Sequence, residues 1–254
     1  MPEPVIVRPG ARPELSRPDA GVIKVSTWDV GDPGRQRAAL DAIGRAWLGR
    51  DWPDGGLLSY TVHLGEDGRT LLHYSQWADE DAYRRFFDGP RDRRNAEIDA
   101  AVPGIRRLAL DSYELYRSHT SREDDPRVPG CVVIVEVEFE GPDPERQRGW
   151  VDTVLSALAS DPATAPGGGA PDGGGERDPR TAGISGSFHL GADGRRVLNY
   201  AEWESAELHR AALASPGFGI GAATEEWERV AGYPGVREGR VNRYTPGLSL
   251  GPGV

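Results

Sequence analysis

SYTVHLGEDGRTLLHYSQW, residues 59–77, returns without gaps as SGSFHLGADGRRVLNYAEW, residues 185–203, with ten of the nineteen positions identical. The agreement includes His63/His189, the Leu-Gly-x-Asp-Gly-Arg turn, Tyr74/Tyr200 and Trp77/Trp203. The match extends outward. Arg35-Gln36-Arg37 recurs as Arg146-Gln147-Arg148, and Pro103-Gly104-Ile105-Arg106 as Pro234-Gly235-Val236-Arg237. Two copies, each of domain size, indicate a duplicated domain rather than a solenoid. Agreement between the copies reports on the fold, and disagreement marks where the chemistry can differ.

Around this stretch the elements fall into order. Residues 22–28 (VIKVSTW) alternate as a strand does, and Pro33 opens a helical pattern with Ala39, Leu40, Ile43, Ala46 and Trp47 on one side. Residues 57–64 and 69–77 read as a hairpin, 78–87 and 91–102 as two short helices, and 105–116 as a closing strand. The order β-α-β-β-α-β predicts a ferredoxin-like domain, so the fold class is α+β with two such domains fused. Residues 1–20 read as a flexible, Pro-rich arm, 21–117 as the first domain, 118–129 as a polar linker and 130–246 as the second domain. The tract DPATAPGGGAPDGGGERDP, residues 161–179, holds no apolar side chain larger than Ala and reads as a surface loop, taken as 161–180.

Composition narrows the function. A net charge of −10 argues against nucleic acid or an anionic membrane as partner. The N-terminus shows no apolar leader and the chain no long hydrophobic span, which reads as a cytoplasmic protein. Cys131 is the sole cysteine and heads an apolar run, so it reads as a small buried hydrophobe. Five histidines with no recurring third ligand argue against a metal cage. Lys24 is the only lysine among thirty basic residues. Such a bias, with the Ala, Gly and Pro load, reflects GC-rich coding more than a functional surface.

The turn Glu66-Asp67-Gly68 reads as a three-residue loop, pairing Gly65 with Arg69 and Thr61 with His73. That register places His63, His73 and Trp77 on one face, and His189, Asn199 and Trp203 on the corresponding face of the second copy. Two substitutions between the copies stand out: His73 against Asn199, and Tyr83 against His209, each of the latter six residues past its Trp.

At these residues the chain resembles the antibiotic biosynthesis monooxygenases. The carriers are Asn199–Trp203, a strand ending Asn-x-x-x-Trp, and His189 fourteen residues before the Trp. The resemblance covers roughly residues 20–245. It implies a dimeric α/β barrel, here closed within one chain, and its tandem layout is similar to that of the angucycline ring-opening oxygenases. By resemblance, Asn199, Trp203 and His189 match catalytic positions of the second half, and His63, His73 and Trp77 those of the first. Tyr83 and His209 then contact substrate. Because His73 replaces the family's Asn, the first half has either lost activity or made His73 a general base with a pKa near neutrality. The second half is favoured as the main pocket.

The activity implied is oxygenation of a polycyclic phenol or hydroquinone of aromatic polyketide origin, with O2 as co-substrate and Baeyer–Villiger ring cleavage as one outcome. The ring-opening relatives imply reduced flavin (FADH2 or FMNH2) from a separate reductase, and neither metal nor haem. A haem-degrading enzyme of the same fold is a rival, with His209 its only candidate ligand on the helix after the Trp. A polyketide cyclase or a small-molecule binding protein is the alternative of a different class. A monomer or a homodimer fits, since a fused barrel needs no partner to close.

Overall fold

A computed structural model describes residues 3–53, 55–161, 164, 178–214 and 224–253. Most of the Gly/Pro tract expected as a surface loop lies outside the described residues. The chain divides into two compact units, Met1–Glu114 with Tyr244–Val254, and Leu115–Arg243.

In the first unit β1 (Val5–Val7) precedes β2 (Val22–Asp29), α1 (Pro33–Leu48), β3 (Leu57–Gly65), β4 (Thr70–Trp77), α2 (Glu80–Phe87), α3 (Pro90–Ala101) and β5 (Arg106–Thr120). Its strands run β3-β4-β2-β5, the ferredoxin-like order, and all of these neighbours are antiparallel. The second unit repeats the plan with β6 (Cys131–Phe139), α4 (Pro144–Ser160), β7 (Gly183–Gly191), β8 (Arg196–Trp203), α5 (Ala206–Ala214), α6 (Glu225–Ala231) and β9 (Val236–Pro252). Its strands run β7-β8-β6-β9.

The division between units falls inside β5 and β9 rather than at the expected linker of 118–129. Residues 244–250 of β9 pair with β3, and residue 121, just past β5, bonds to β7 through Ser121 N and Ile184 O. The expected flexible arm is also corrected. Val5–Val7 pairs with residues 250–252, Gln76 Nε2 donates to Glu14 O, and Leu15 is buried, because β9 offers an open edge that a Pro-rich segment with three consecutive β-formers can satisfy.

Local chemistry explains the helices. Asp32 caps α1 by accepting from Arg35 N, Pro33 fills the first turn, and Gln36, Ala39, Ile43, Ala46 and Trp47 form its buried stripe. Asp143 and Pro144 do the same for α4. The repeated Gln earns its recurrence here. Gln36 Nε2 donates to Gly65 O at 2.9 Å and Thr70 O at 2.8 Å, and Gln147 Nε2 to Gly191 O at 3.1 Å and Arg196 O at 2.7 Å. Each amide ties its helix to the root of its hairpin.

That root also sets the register, and it differs by one residue from the sequence expectation. Leu64 pairs with Leu71, His63 with Leu72 and Val62 with His73. The loop therefore has four residues, not three. Asp67 accepts from Arg69 N, Thr70 N and Thr70 Oγ1, which draws Arg69 into the turn, while Gly68 takes the left-handed conformation at φ 70°. Replacing Gln36 by Leu should remove one donor from each of two hairpin-root carbonyls, with Gly65 O keeping Gly68 N, and lower stability by roughly 1–3 kcal/mol. A shift of the urea midpoint to lower concentration checks this, and an unchanged midpoint would remove the amide from the account.

Candidate active site

The corrected register sorts the hairpin side chains. Tyr60, Val62, His73, Ser75 and Trp77 share the face that packs on the helices, with Lys24, Ser26 and Trp28 of β2 beside them. His63, Thr61, Tyr74 and Gln76 lie on the opposite face. His63 thus stands apart from His73 and Trp77, against expectation. In the second unit Asn199 and Trp203 share a face with Gly186 and Phe188, while His189 pairs with Leu198 on the other face, its Nδ1 3.2 Å from Leu198 O. The structure brings together His73 with Trp77 and Asn199 with Trp203, and separates both pairs from the strand histidines.

Between the first helix-facing surface and α1–α3 lies a cavity of about 120 Å³. Its walls are Trp28, Trp47, Tyr60, Trp77, Tyr83 and Phe86, its polar groups are Lys24, Ser26, Ser75 and His73, and Arg107, Ala109 and Leu110 of β5 form its exposed side. The aromatic rings support one another. Trp47 stacks on Tyr60 at 4.6 Å between centroids, Tyr83 meets Trp77 edge-on at 5.3 Å, and Trp28 lies 4.1 Å from the His73 ring. Trp77 Nε1 donates to Ser75 Oγ at 2.9 Å, so its indole N–H is already engaged.

His73 is the chemical centre of this cavity. It is 4% exposed, and its Nδ1 lies 2.7 Å from the Tyr60 hydroxyl. Burial pushes the Tyr60 phenol well above its ordinary range, so it stays protonated. The hydroxyl and Nδ1 share this hydrogen bond, whose direction follows the tautomer of the ring, and Nε2 is the ring nitrogen left over. Nε2 has no hydrogen-bond partner among the described residues. Burial, then the Arg107 charge, then His63 push the His73 pKa down to about 3. The imidazole is neutral at pH 7, and the expected pKa near neutrality is corrected. His63 is likewise pushed down to about 3 by burial.

Lys24 is buried at the cavity edge. Its ammonium donates to both oxygens of Glu80 at 2.8 and 2.9 Å and to Ser112 Oγ at 2.6 Å, and sits 4.1 Å over the Tyr83 ring. Tyr60 and Arg94 were not among the expected site residues, and Lys24 stood out in the sequence only as the single lysine. Tyr60 falls in the repeat opposite Gly186, and that difference was the available signal.

The second unit holds a smaller cavity, about 50 Å³, lined by His119, Leu158, Arg180, Gly186, Phe188, Asn199, Ala201 and Trp203, among others. Every polar or aromatic group of the first cavity's β2 wall has an apolar counterpart: Lys24, Ser26 and Trp28 correspond to Val133, Val135 and Val137 of β6. Tyr60 and His73 correspond to Gly186 and Asn199, and a Cβ on Gly186 would meet the Asn199 amide at 3.3 Å. His209 occupies the place of Tyr83, edge-on to Trp203 at 4.7 Å, with Nδ1 accepting from Arg243 Nε at 2.9 Å. Its pKa falls to about 4 through burial and the Arg243 and Arg210 charges. His209 does not line that cavity. The larger cavity thus lies in the first unit, whereas the sequence favoured the second.

Among the described residues no group of three or more His, Cys, Asp or Glu side chains could hold a metal ion. No described helix is long and apolar enough to cross a membrane.

No protein-family model and no curated protein matches the chain. Solved structures do. An anthrone oxidase-like protein shares 18% identity over 97% of this chain and 95% of its own, with a TM-score of 0.61. A Lactobacillus acidophilus protein carrying a provisional monooxygenase name shares 11% identity over 89% of this chain and 97% of its own, at TM-score 0.51. A Fusobacterium nucleatum protein with the same provisional name shares 8% over 91% and 94%, also at 0.51. At these identities the likeness establishes the fold.

Proposed function

We propose that the first unit's cavity oxygenates an electron-rich polycyclic phenol of aromatic polyketide type, using O2. The observation that carries this reading is the His73 imidazole: neutral, fixed through Nδ1 by Tyr60, and with Nε2 as its remaining polar group in an aromatic cavity. In this scheme the tautomer is the one in which Tyr60 donates to Nδ1 and Nε2 carries the proton. The oxygenase names of proteins with this fold agree with it.

The flat walls of Trp28, Trp77 and Tyr83 suit a fused-ring substrate. A phenol or its keto tautomer reacts with O2 only slowly until it ionises, since the anion gives up an electron far more readily. His73 is not the base in this scheme. A ring nitrogen that already carries a proton donates, so Nε2–H stabilises the substrate oxyanion, as a preorganised donor does best in a dry site. The Arg107 and Lys24 charges favour the same anion, and its proton leaves to water. One electron passes to O2, the resulting pair joins as a carbon–oxygen bond, and the hydroperoxide loses water to leave a carbonyl. For a methylene beside the ring ketone the balance is CH2 + O2 → C=O + H2O. Ring cleavage by migration of a ring carbon to oxygen stays the alternative outcome of the same hydroperoxide.

Reduced flavin is implied by resemblance, and the cavity does not fit it. Among the described residues Lys24 is bonded to Glu80, Arg107 to Asp99 at 3.0 and 3.1 Å, and both terminal nitrogens of Arg94 to backbone carbonyls, so these three cations are largely committed and Arg94 Nε alone does not make a phosphate cradle. No step is routed through it, and a reductase partner is not needed by this scheme. The test is aerobic turnover of anthrones, naphthacenones and angucyclinones under 18O2, with and without reduced flavin, read by mass. Label gained without flavin is the expected result. Tight binding with no incorporation from any substrate would favour the cyclase or binding-protein alternative.

A further inference from the structure

We propose that the first unit's cavity is an organic-anion site, in which Arg94 anchors a carboxylate carried by the planar aromatic ligand. This deepens the reading above, since the same cavity would hold the phenol, but it concerns binding alone.

Arg94 lies on α3 and is 5% exposed. Its Nη1 donates to Pro90 O at 3.1 Å and Nη2 to Asp51 O at 3.2 Å, so the side chain is fixed by backbone. The guanidinium lies 4.5 Å over the Trp47 ring, beside the stacked Tyr60. Its Nε is buried and has no hydrogen-bond partner among the described residues. The other cations that line the cavity each have a carboxylate: Lys24 has Glu80, Arg107 has Asp99, and Arg91 has Asp92 at 3.5 Å. Arg94 has none among the described residues. The carboxylate that acts on it, Glu97, is held by Arg50. Burial accordingly lowers the Arg94 pKa to about 10.

A buried cation without a counter-ion costs free energy that an anion bound beside it restores. The ligand must bring that charge before any reaction. A phenol, with a pKa near 10, enters neutral, whereas a carboxylic acid is ionised above about pH 5. The charge-assisted bond from Nε–H is then made on arrival and orients the ring system along Trp47. The second cavity argues the same way by contrast. Its arginine, Arg180, is bonded to Asp178 through Nε at 2.9 Å, and the position of Lys24 is Val133. Two duplicated cavities have therefore come to differ in charge, one cationic and one close to neutral.

The test is anaerobic titration of the full chain with anthracene-2-carboxylate and with anthracene-2-carboxamide, read by quenching of the protein's tryptophan fluorescence. The carboxylate should bind at least tenfold more tightly, and added salt should weaken only its binding. In Arg94→Met the ratio should fall to near one, with carboxamide affinity unchanged. Arg94→Lys, which keeps the charge and the stem but lacks Nε–H, should give an intermediate ratio and serves if the Met variant does not fold. Equal binding of the two ligands by the unmodified protein overturns the proposal, as does a carboxylate preference that survives intact in both variants. A carboxylate preference without 18O incorporation would keep the anion site and remove the oxygenase. Incorporation into neutral phenols with no preference would do the reverse.

Discussion

Replacing His73 by Phe is expected to lower kcat about 100- to 1000-fold on whichever phenol the protein oxygenates, with a much smaller change in KM. The magnitude follows from the role. Removing one preorganised donor aimed at an oxyanion costs about that factor, because the bond strengthens only as charge develops. Phe keeps a ring against Trp28, so the wall of the cavity survives. It also strands the buried Tyr60 hydroxyl, whose hydrogen-bond partner is His73, at a cost of about 1–3 kcal/mol in stability. The paired variant Tyr60→Phe/His73→Phe removes both polar groups and should recover most of that stability, yet recover no activity. That split distinguishes a chemical role from a packing one. His73→Asn, which installs the residue found at Asn199, retains an amide donor and should fall between the two. Activity recovered in the paired variant would end the donor account.

The pH profile adds an independent reading. A general-base histidine of ordinary pKa would give kcat/KM an acid limb near 6.5. With His73 pushed down to about 3, it stays neutral throughout the range in which the protein is folded. Between pH 6 and 8 kcat/KM should therefore rise only as the substrate ionises, and His73→Asn should leave the shape of the profile unchanged. An inflection at 6.5 that disappears in the variant would restore the base.

Much of the fold could be read from the chain because its signals are local. Asp32-Pro33 and Asp143-Pro144 are start signals whose side chains act within one turn, and α1 and α4 begin where those residues stand. The ungapped repeat fixed two copies of one plan. The register was less accessible, since it depends on Asp67 reaching Thr70 and on Gln36 reaching across from another element. Arg35-Gln36-Arg37 was visible as a repeat, but its purpose lies in contacts of long sequence separation. The same one-residue difference moved His63 away from His73. It also hid Tyr60, which only the true register puts on the face of His73. Once that is known, Tyr60/His73 against Gly186/Asn199 reads as one paired change in two copies of a cavity. Arg94 stands in the stretch Arg91-Asp92-Arg93-Arg94 on α3, which taken by itself reads as a solvated helix start. Only packing shows that this one side chain of the run is buried.

Mild acid should unfold the protein, with a midpoint near pH 5, well above the range where carboxylates protonate. Four of its histidines are held neutral: His63 and His73 at about 3, His189 and His209 at about 4, burial being the first cause for each. In the unfolded chain each titrates near 6.5. Between these values the unfolded state binds more protons than the folded one, so stability is full above 6.5 and is lost as pH falls toward the folded values. At pH 5 each fully buried imidazole has surrendered about 2 kcal/mol, or roughly 6 kcal/mol for His63, His73 and His189 together. A domain holds only about 5–15 kcal/mol in all, so this loss is decisive. The carboxylates act later. Asp29, held at about 2 by Arg69 and Arg106, withdraws its contribution only below pH 4. Urea unfolding followed from pH 7.5 to 4.5 should show a slope that steepens below 6.5 to an uptake of three to four protons. His209→Leu should reduce that uptake by one while leaving the other three. A stability that is level from pH 7 to 5 would mean that these rings are protonated in the folded chain, and with them the neutral donor assigned to His73 would be lost.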